Sequence, residues 1–258
     1  DGIARRIAVG ATDVLAAPAR GGATTEALYG ESVRVFEDRD GWAWVQLDGD
    51  GYVGYVDAGA LASPLGPPTD RVAALRTYVY ERADIKSPTL RLLSLNAMLV
   101  ATERLERFLH LADGGYVVRR HTASVATFAP DFVAVAERFV GTPYRWGGKT
   151  SLGIDCSGLV QVALEAAGIR APRDSDMLEA EVGEPVPLAE GLAAPRRGDL
   201  VFWKGHAGIM VDGARLLHAN AHHMETVIEP LSETIARTGA DGNLPTSVRR
   251  LPPPGAPR

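Results

Sequence analysis

The sequence predicts an α+β protein: two small β-barrels, then a domain of helices followed by strands. Three observations predict it. Residues up to about 128 are short β-forming runs cut by acidic and glycine turns. "SPLGPPTD" (63–70) places three prolines in eight positions and reads as a linker dividing that β-rich half. From Ala129 the apolar spacing changes to the three-and-four step of helices, and strands return only later. The expected domains are 1–66, 67–128 and 129–258.

In the first domain, "SVRVFED", "GWAWVQLD" and "GYVGYVD" are the strand runs. Within "WAWVQLD", Trp42, Trp44 and Gln46 alternate with Ala43, Val45 and Leu47, which suits a strand whose faces are covered differently. Both tryptophans are expected to pack the barrel. In the second domain, "RTYVYERAD", "NAMLVATERLERFLHLAD" and "GGYVVRRHTAS" read as strand and turn. Residues 97–111 also fit helical spacing, but a second barrel is preferred, because "DGGYVVRRHTA" echoes "GDGYVGYVDAGAL" of the first. In the third domain, apolar residues at 132, 135, 136, 139 and 140 predict a helix that Gly141 and Pro143 end. "CSGLVQVALEAAGI", apolar at 159, 160, 163, 164 and 167, predicts a second helix stopped by Gly168. "GDLVFWKG" and "HAGIMVDGARLLHANA" read as strands, the latter folded at a "DG" turn.

Composition narrows function by exclusion. The 258 residues are 46% hydrophobic and 23% charged, as in soluble globular chains. A net charge of −5 argues against nucleic-acid binding through bulk charge. No apolar run reaches the roughly 18 residues of a membrane span. "DGIARRIAVG" lacks a continuous apolar segment, so no secretory signal is visible. One cysteine permits no internal disulfide, and the cytoplasm is the expected compartment over the periplasm or the exterior.

That cysteine, Cys156, stands in "GIDCSG" at the start of the second predicted helix. Unpaired backbone N–H groups and the helix dipole favour an anion there, which lowers a thiol pKa. A free cysteine is more often a buried inert residue, yet Asp155 and Ser157 are poor company for a core position. A reactive thiolate needs a histidine, and the histidine an orienting partner. His110 and His121 lie in the β-rich half. His206 and His218 fall on consecutive predicted strands, where the right register would bring them together. His222 and His223 follow in an expected loop, and His222 remains an alternative to His218 for the third position. No HExxH, second cysteine or matching carboxylate spacing accompanies them, so no metal is expected. "GGKTS" (147–151) imitates the end of a phosphate loop, but the required glycine at 143 is Pro143. No cofactor is expected.

Three blocks then resemble the NlpC-type cysteine peptidases of bacterial cell-wall turnover, which have a papain-like core. They are "GTPYRWGGKTSLGIDCSGLVQ", "RRGDLVFW" and "HAGIMVD…LLHA", in family order and spacing across about 129–230. The resemblance implies Cys156 as nucleophile, His206 as general base and acid, and His218 as the group orienting His206. "ALYGESVRVFEDRDGWAWVQLDGDGYVGYV" is similar to bacterial SH3-like domains, with Tyr55 where tryptophan is usual. Two such domains ahead of the core, with "YRWGG" and "PRDS", resemble the murein-peptide recycling subgroup. Those enzymes cut the γ-D-glutamyl–diaminopimelate bond of small peptides bearing a free N-terminal L-Ala. The resemblance implies action on peptides such as L-Ala-γ-D-Glu-diaminopimelate, and a monomer is expected. It further implies substrate contacts from Tyr144, Trp146, Asp155 (the α-amine), Ser157 and Ser175 (the D-Glu carboxylate), Arg173 and the barrel's Tyr52. The acidic residue expected before "ALYGE" is nearest to Glu26, two positions from the aligned slot, which holds Thr24. Plainer readings stand beside these: core packing for Tyr144 and Trp146, a solvated charge for Arg173, a turn residue for Tyr52. A wall-binding module with an inactive core, and deamidation or acyl transfer on the same core, are the competing functions.

Overall fold

A computed structural model describes residues 2–18 and 21–252. The chain divides into two compact units. One holds residues up to Phe128 together with Trp146–Ser151, and the other holds Ala129–Arg145 and Leu152 onward.

The first unit opens with seven strands: β1 (Ile3–Ile7), β2 (Ala11–Leu15), β3 (Ala23–Leu28), β4 (Ser32–Arg39), β5 (Trp42–Leu47), β6 (Val53–Asp57) and β7 (Leu61–Ala62). They form one sheet in the order β3-β2-β6-β5-β4-β1-β7 around Ile7, Val14, Ala27, Val33, Val45 and Val56. On β5 the alternation holds with its sense resolved: Ala43, Val45 and Leu47 face the core. Trp44 instead stacks on Tyr55 of β6, ring centroids 4.8 Å apart, on the opposite face. The smaller side chains fill the interior because a small barrel has no room for indoles.

Eight strands follow: β8 (Asp70–Val72), β9 (Arg76–Tyr80), β10 (Thr89–Ser94), β11 (Met98–Leu99), β12 (Ala101–Arg104), β13 (Phe108–Leu111), β14 (Tyr116–Val118) and β15 (Thr122–Ser124). They make sheets ordered β10-β9-β14-β13-β12 and β11-β8-β15. Residues 97–111 are strands, so the helical spacing there was coincidental. Asp113, between β13 and β14, accepts from Arg6 of β1 and from the Tyr29 hydroxyl at 2.6 Å, which ties these sheets to the first, and also from Arg91 of β10. The short β16 (Lys149–Thr150) belongs to this unit through its segment. Gly147 of that segment has φ +77°, and a Cβ there would lie 2.5 Å from the Ala23 carbonyl oxygen. Glycine is therefore required by both conformation and space.

The second unit holds α1 (Phe132–Glu137), β17 (Gly153–Ile154), α2 (Cys156–Ala166), α3 (Ser175–Glu181), β18 (Glu184–Val186), α4 (Leu188–Ala193), β19 (Leu200–Trp203), β20 (His206–Met210), β21 (Arg215–Asn220), β22 (Glu225–Pro230), α5 (Leu231–Ala240) and β23 (Pro245–Arg250). Its sheet runs β18-β23-β19-β20-β21-β22, with neighbouring strands antiparallel throughout. Helix α1 stops three residues short of the apolar pattern's end, and Arg138–Thr142 continue as tight turns. Helix α2 ends before Gly168, whose φ of +77° no β-carbon residue adopts cheaply. Helix α2 is buried on nearly all sides, including the uncharged polar Gln161, whose amide donates to the Ala171 carbonyl at 3.1 Å. It is enclosed by α1, α3 and the β20–β21 hairpin. No helix among the described residues is long and apolar enough to cross a membrane.

Candidate active site

Helix α2 begins at Cys156 because Asp155 caps it. The Asp155 carboxylate accepts from the Gly158 N–H at 2.7 Å, leaving Cys156 as the first helical residue. The other carboxylate oxygen accepts from Arg173 at 2.6 Å, and Arg173 also donates to the Ser157 hydroxyl at 2.7 Å. All three are buried, Arg173 to 2% exposure. Arg173 is thus neither a solvated charge nor an open carboxylate receptor: it neutralises the cap and orients Ser157. Tyr144 joins this group from the segment before β17. Burial, then the neighbouring Cys156 and Asp155, push its phenol up to about 12, with Arg173 opposing.

Cys156 is only 7% exposed. Its thiol is pushed up to about 11, first by burial and then by the Asp155 carboxylate. Backbone N–H groups of Ala207 and Ser157 and the Arg173 charge act the other way without prevailing. This corrects the expectation of a lowered thiol pKa. The helix start does favour an anion, but Asp155 already supplies one, and a second charge beside it in a dry site is opposed.

The Ala207 N–H that bonds the sulfur is next in chain to His206, the first residue of β20. Strands β20 and β21 pair Ile209 with Leu217 and Met210 with Leu216, so even-numbered residues of both share a face. His206 and His218 therefore meet diagonally across the hairpin, Nε2 to Nδ1 at 2.8 Å. The turn that sets this register is held by Asp212, which accepts from the N–H groups of Ala214 and Arg215. Burial drives His206 down to about 3, with His218 and Arg237 adding to the shift and Glu229 resisting it. With its thiol raised and its imidazole lowered, Cys156 and His206 favour their uncharged forms at neutral pH.

His218 reaches further than the sequence indicated. Its Nε2 lies 2.8 Å from Glu229 Oε1 and 3.0 Å from Asn220 Nδ2. Glu229 also accepts from Thr234 at 3.0 Å, from His223 at 3.2 Å and from both terminal nitrogens of Arg237. Burial raises the Glu229 pKa, but hydrogen bonds from His218, Arg237 and His223 hold it well below the carboxylate range. Glu229, Arg237 and Asn220 were not visible as site residues. The available signal was a carboxylate at an inward phase of "ETVIEP", which becomes readable only once β21 and β22 are in register.

The other sequence-predicted residues are placed as follows. Ser175 is the half-buried first residue of α3. Trp146 is 69% exposed and is not a core aromatic. Tyr52 is half-buried and packs on the first barrel's core. Glu26 is buried on β3, and its carboxylate accepts the Lys149 N–H at 2.6 Å. His222 stacks edge-on against His223, ring centroids 4.7 Å apart. No group of three potential metal ligands occurs among the described residues.

Comparison with known proteins agrees with this geometry. Residues 141–240 match the NlpC/P60 family and residues 14–61 the bacterial dipeptidyl-peptidase SH3 domain. The gamma-D-glutamyl-L-lysine dipeptidyl-peptidase of Bacillus subtilis (strain 168) is 29% identical over 237 residues, 82% of this chain and 77% of that protein. Dipeptidyl-peptidase 6 of Lysinibacillus sphaericus is 34% identical over 117 residues, 45% of this chain but only 41% of that protein's length. The crystal structure of an NlpC/P60 family protein from Bacillus cereus ATCC 10987 has a TM-score of 0.82 at 20% identity, covering 97% of this chain and 100% of that one. That likeness is one of fold. The chain thus carries an NlpC/P60 domain at residues 141–240, preceded by a bacterial dipeptidyl-peptidase SH3 domain at residues 14–61.

Proposed function

We propose that the protein hydrolyses the γ-D-glutamyl–meso-diaminopimelate bond of murein peptides that carry a free N-terminal L-Ala. The observation carrying this reading is that Cys156, the first residue of α2, takes a hydrogen bond from the Ala207 N–H of β20, next in chain to a His206 that is bonded to His218. A relative named for γ-D-glutamyl-L-lysine cleavage supports the γ-D-glutamyl half of the specificity.

Both groups start neutral, so attack and proton transfer go together. His206 takes the thiol proton as the sulfur adds to the γ-carbonyl carbon of D-Glu. Backbone N–H groups at the start of α2 stabilise the oxyanion, each donor worth about 2.7–4 kcal/mol. The protonated His206 gives its proton to the departing α-amine of the diamino acid, leaving a thioester. Water, deprotonated by His206, releases L-Ala-D-Glu and restores the thiol. His218 orients His206, while Arg173 holds Asp155 and Ser157 at the substrate side of the helix start.

Incubation with L-Ala-γ-D-Glu-diaminopimelate should release free diaminopimelate, and Cys156→Ser should release none. The L-lysine tripeptide in parallel separates the two diamino acids. Binding without release would favour a recognition module, and a product heavier by an acceptor rather than by water would favour acyl transfer.

A further inference from the structure

The catalytic couple does not end at His218. The register of β21 and β22 pairs His218 with Val227 and Leu216 with Glu229, so His218 and Glu229 share a face. Helix α5 follows β22 directly, and Thr234 and Arg237 lie three apart, on one side of it. Both donate to the Glu229 carboxylate, as does His223 from the loop between β21 and β22. A carboxylate so supplied can only accept hydrogen bonds.

Two groups compete for Nε2 of His218. Glu229 Oε1 at 2.8 Å requires a hydrogen on that nitrogen. Asn220 Nδ2 at 3.0 Å would donate to it instead. The Asn220 amide cannot turn round to relieve the conflict, because its oxygen accepts the His223 N–H at 2.8 Å. An ionised carboxylate against a nitrogen lone pair is repulsive, and a charge-assisted bond is about twice as strong as a neutral one. Glu229 therefore wins, and the Asn220 nitrogen is left in contact only.

The consequence passes through two rings. With hydrogen on Nε2, neutral His218 offers Nδ1 as an acceptor. His206 Nε2, 2.8 Å away, then carries the hydrogen of that bond. Neutral His206 is left with an unprotonated Nδ1. If Asn220 held His218 instead, every assignment would reverse: His218 would carry its hydrogen on Nδ1, His206 would accept on Nε2, and its Nδ1 would be protonated and useless as a base.

We propose that Glu229 is a positioning residue whose carboxylate, acting through His218 and against Asn220, selects the tautomer that leaves Nδ1 of His206 free to take a proton. This rests on His206 being the base of the proposed peptidase, but the tautomer can be read without turnover.

The test uses the full chain labelled with nitrogen-15 in its histidines, comparing wild type, Glu229→Gln, Glu229→Asp and the double variant Glu229→Gln with Asn220→Ala. Two-bond nitrogen–proton spectra assign the protonated nitrogen of each ring. In the wild type, His206 and His218 should both carry hydrogen on Nε2. Glu229→Gln should move His206 to the Nδ1–H form and lower kcat by about 10- to 1000-fold with KM within about threefold. Glu229→Asp should keep the wild-type tautomers and recover at least a tenth of kcat. Removing Asn220 in the Gln background should restore part of kcat, since the competing donor is gone. A wild-type His206 with hydrogen on Nδ1 overturns the proposal even if the peptide is cleaved. So does Glu229→Gln with unchanged tautomers and only a lower melting temperature, which would make Glu229 a tie between α5 and the sheet. Wild-type tautomers as expected, with no peptide cleaved, would leave this assignment standing and defeat the peptidase reading instead.

Discussion

At the residue scale, the site depends on charge being withheld until it is needed. Cys156 is buried beside a carboxylate, and its thiol pKa is raised to about 11. Its alkylation by iodoacetamide should therefore still be accelerating at pH 9, because thiolate accumulates only as pH approaches the raised pKa. A labelling rate that levels off below pH 7 would mean a resting thiolate and contradict the neutral pair. Arg173 is the second sensitive residue. Arg173→Met strands the buried Asp155 carboxylate and should cost about 3–5 kcal/mol in urea unfolding. Arg173→Lys should not rescue fully, since one ammonium cannot span both Asp155 and Ser157 as the guanidinium does. A stability unchanged by Arg173→Met would show that the cap does not depend on the pair. The importance of Cys156 was legible because it is a lone thiol flanked by polar residues. The direction of its pKa shift was not, because that depends on whether burial or the helix end prevails.

At the element scale, the stretches with a clear period were readable and the contacts between them were not. Helix α2 announced itself by apolar spacing and a terminal glycine, and the β20–β21 hairpin by its "DG" turn. The position of His218 against His206 required the ladder register, which no single strand encodes. Glu229 sits one strand further still, so two registers were needed to see it. Residues 97–111 show the reverse failure: a helical period arose by chance in strands whose pairing partners decide the outcome. The loop at Gly147 offers a local test. Gly147→Ala must adopt φ +77° and meet the Ala23 carbonyl. It should destabilise the β-rich unit by about 1–3 kcal/mol in equilibrium unfolding. A neutral result would show that this loop can leave β3 at little cost.

At the scale of the whole molecule, the order of a strand-rich half before a helix-then-strand half was evident from composition shifts. The assignment of Trp146–Ser151 to the β-rich unit was not. It rests on bonds between residues far apart in sequence, Glu26 to Lys149 and Arg76 to Ser151. Burial also links the site to global stability. The pKa values of His206 and His218 are lowered on folding, and the Glu229 pKa is depressed. The histidines' contribution is complete above their unfolded pKa of about 6.5 and falls as pH drops toward their folded values. Glu229 adds a further loss below about 4.3, its unfolded pKa. The melting temperature should thus be level near pH 7–8 and decline from about pH 6.5 downward. A flat profile to pH 4.5 would mean the histidines are not buried neutral. The account as a whole stands on a covalent step at one sulfur. Mixing the protein with L-Ala-γ-D-Glu-diaminopimelate, quenching in acid within milliseconds and mapping peptides by mass would reveal it directly. The account predicts a transient L-Ala-D-Glu thioester on the peptide containing Cys156. Diaminopimelate released with no adduct, and released equally by Cys156→Ala, would contradict it.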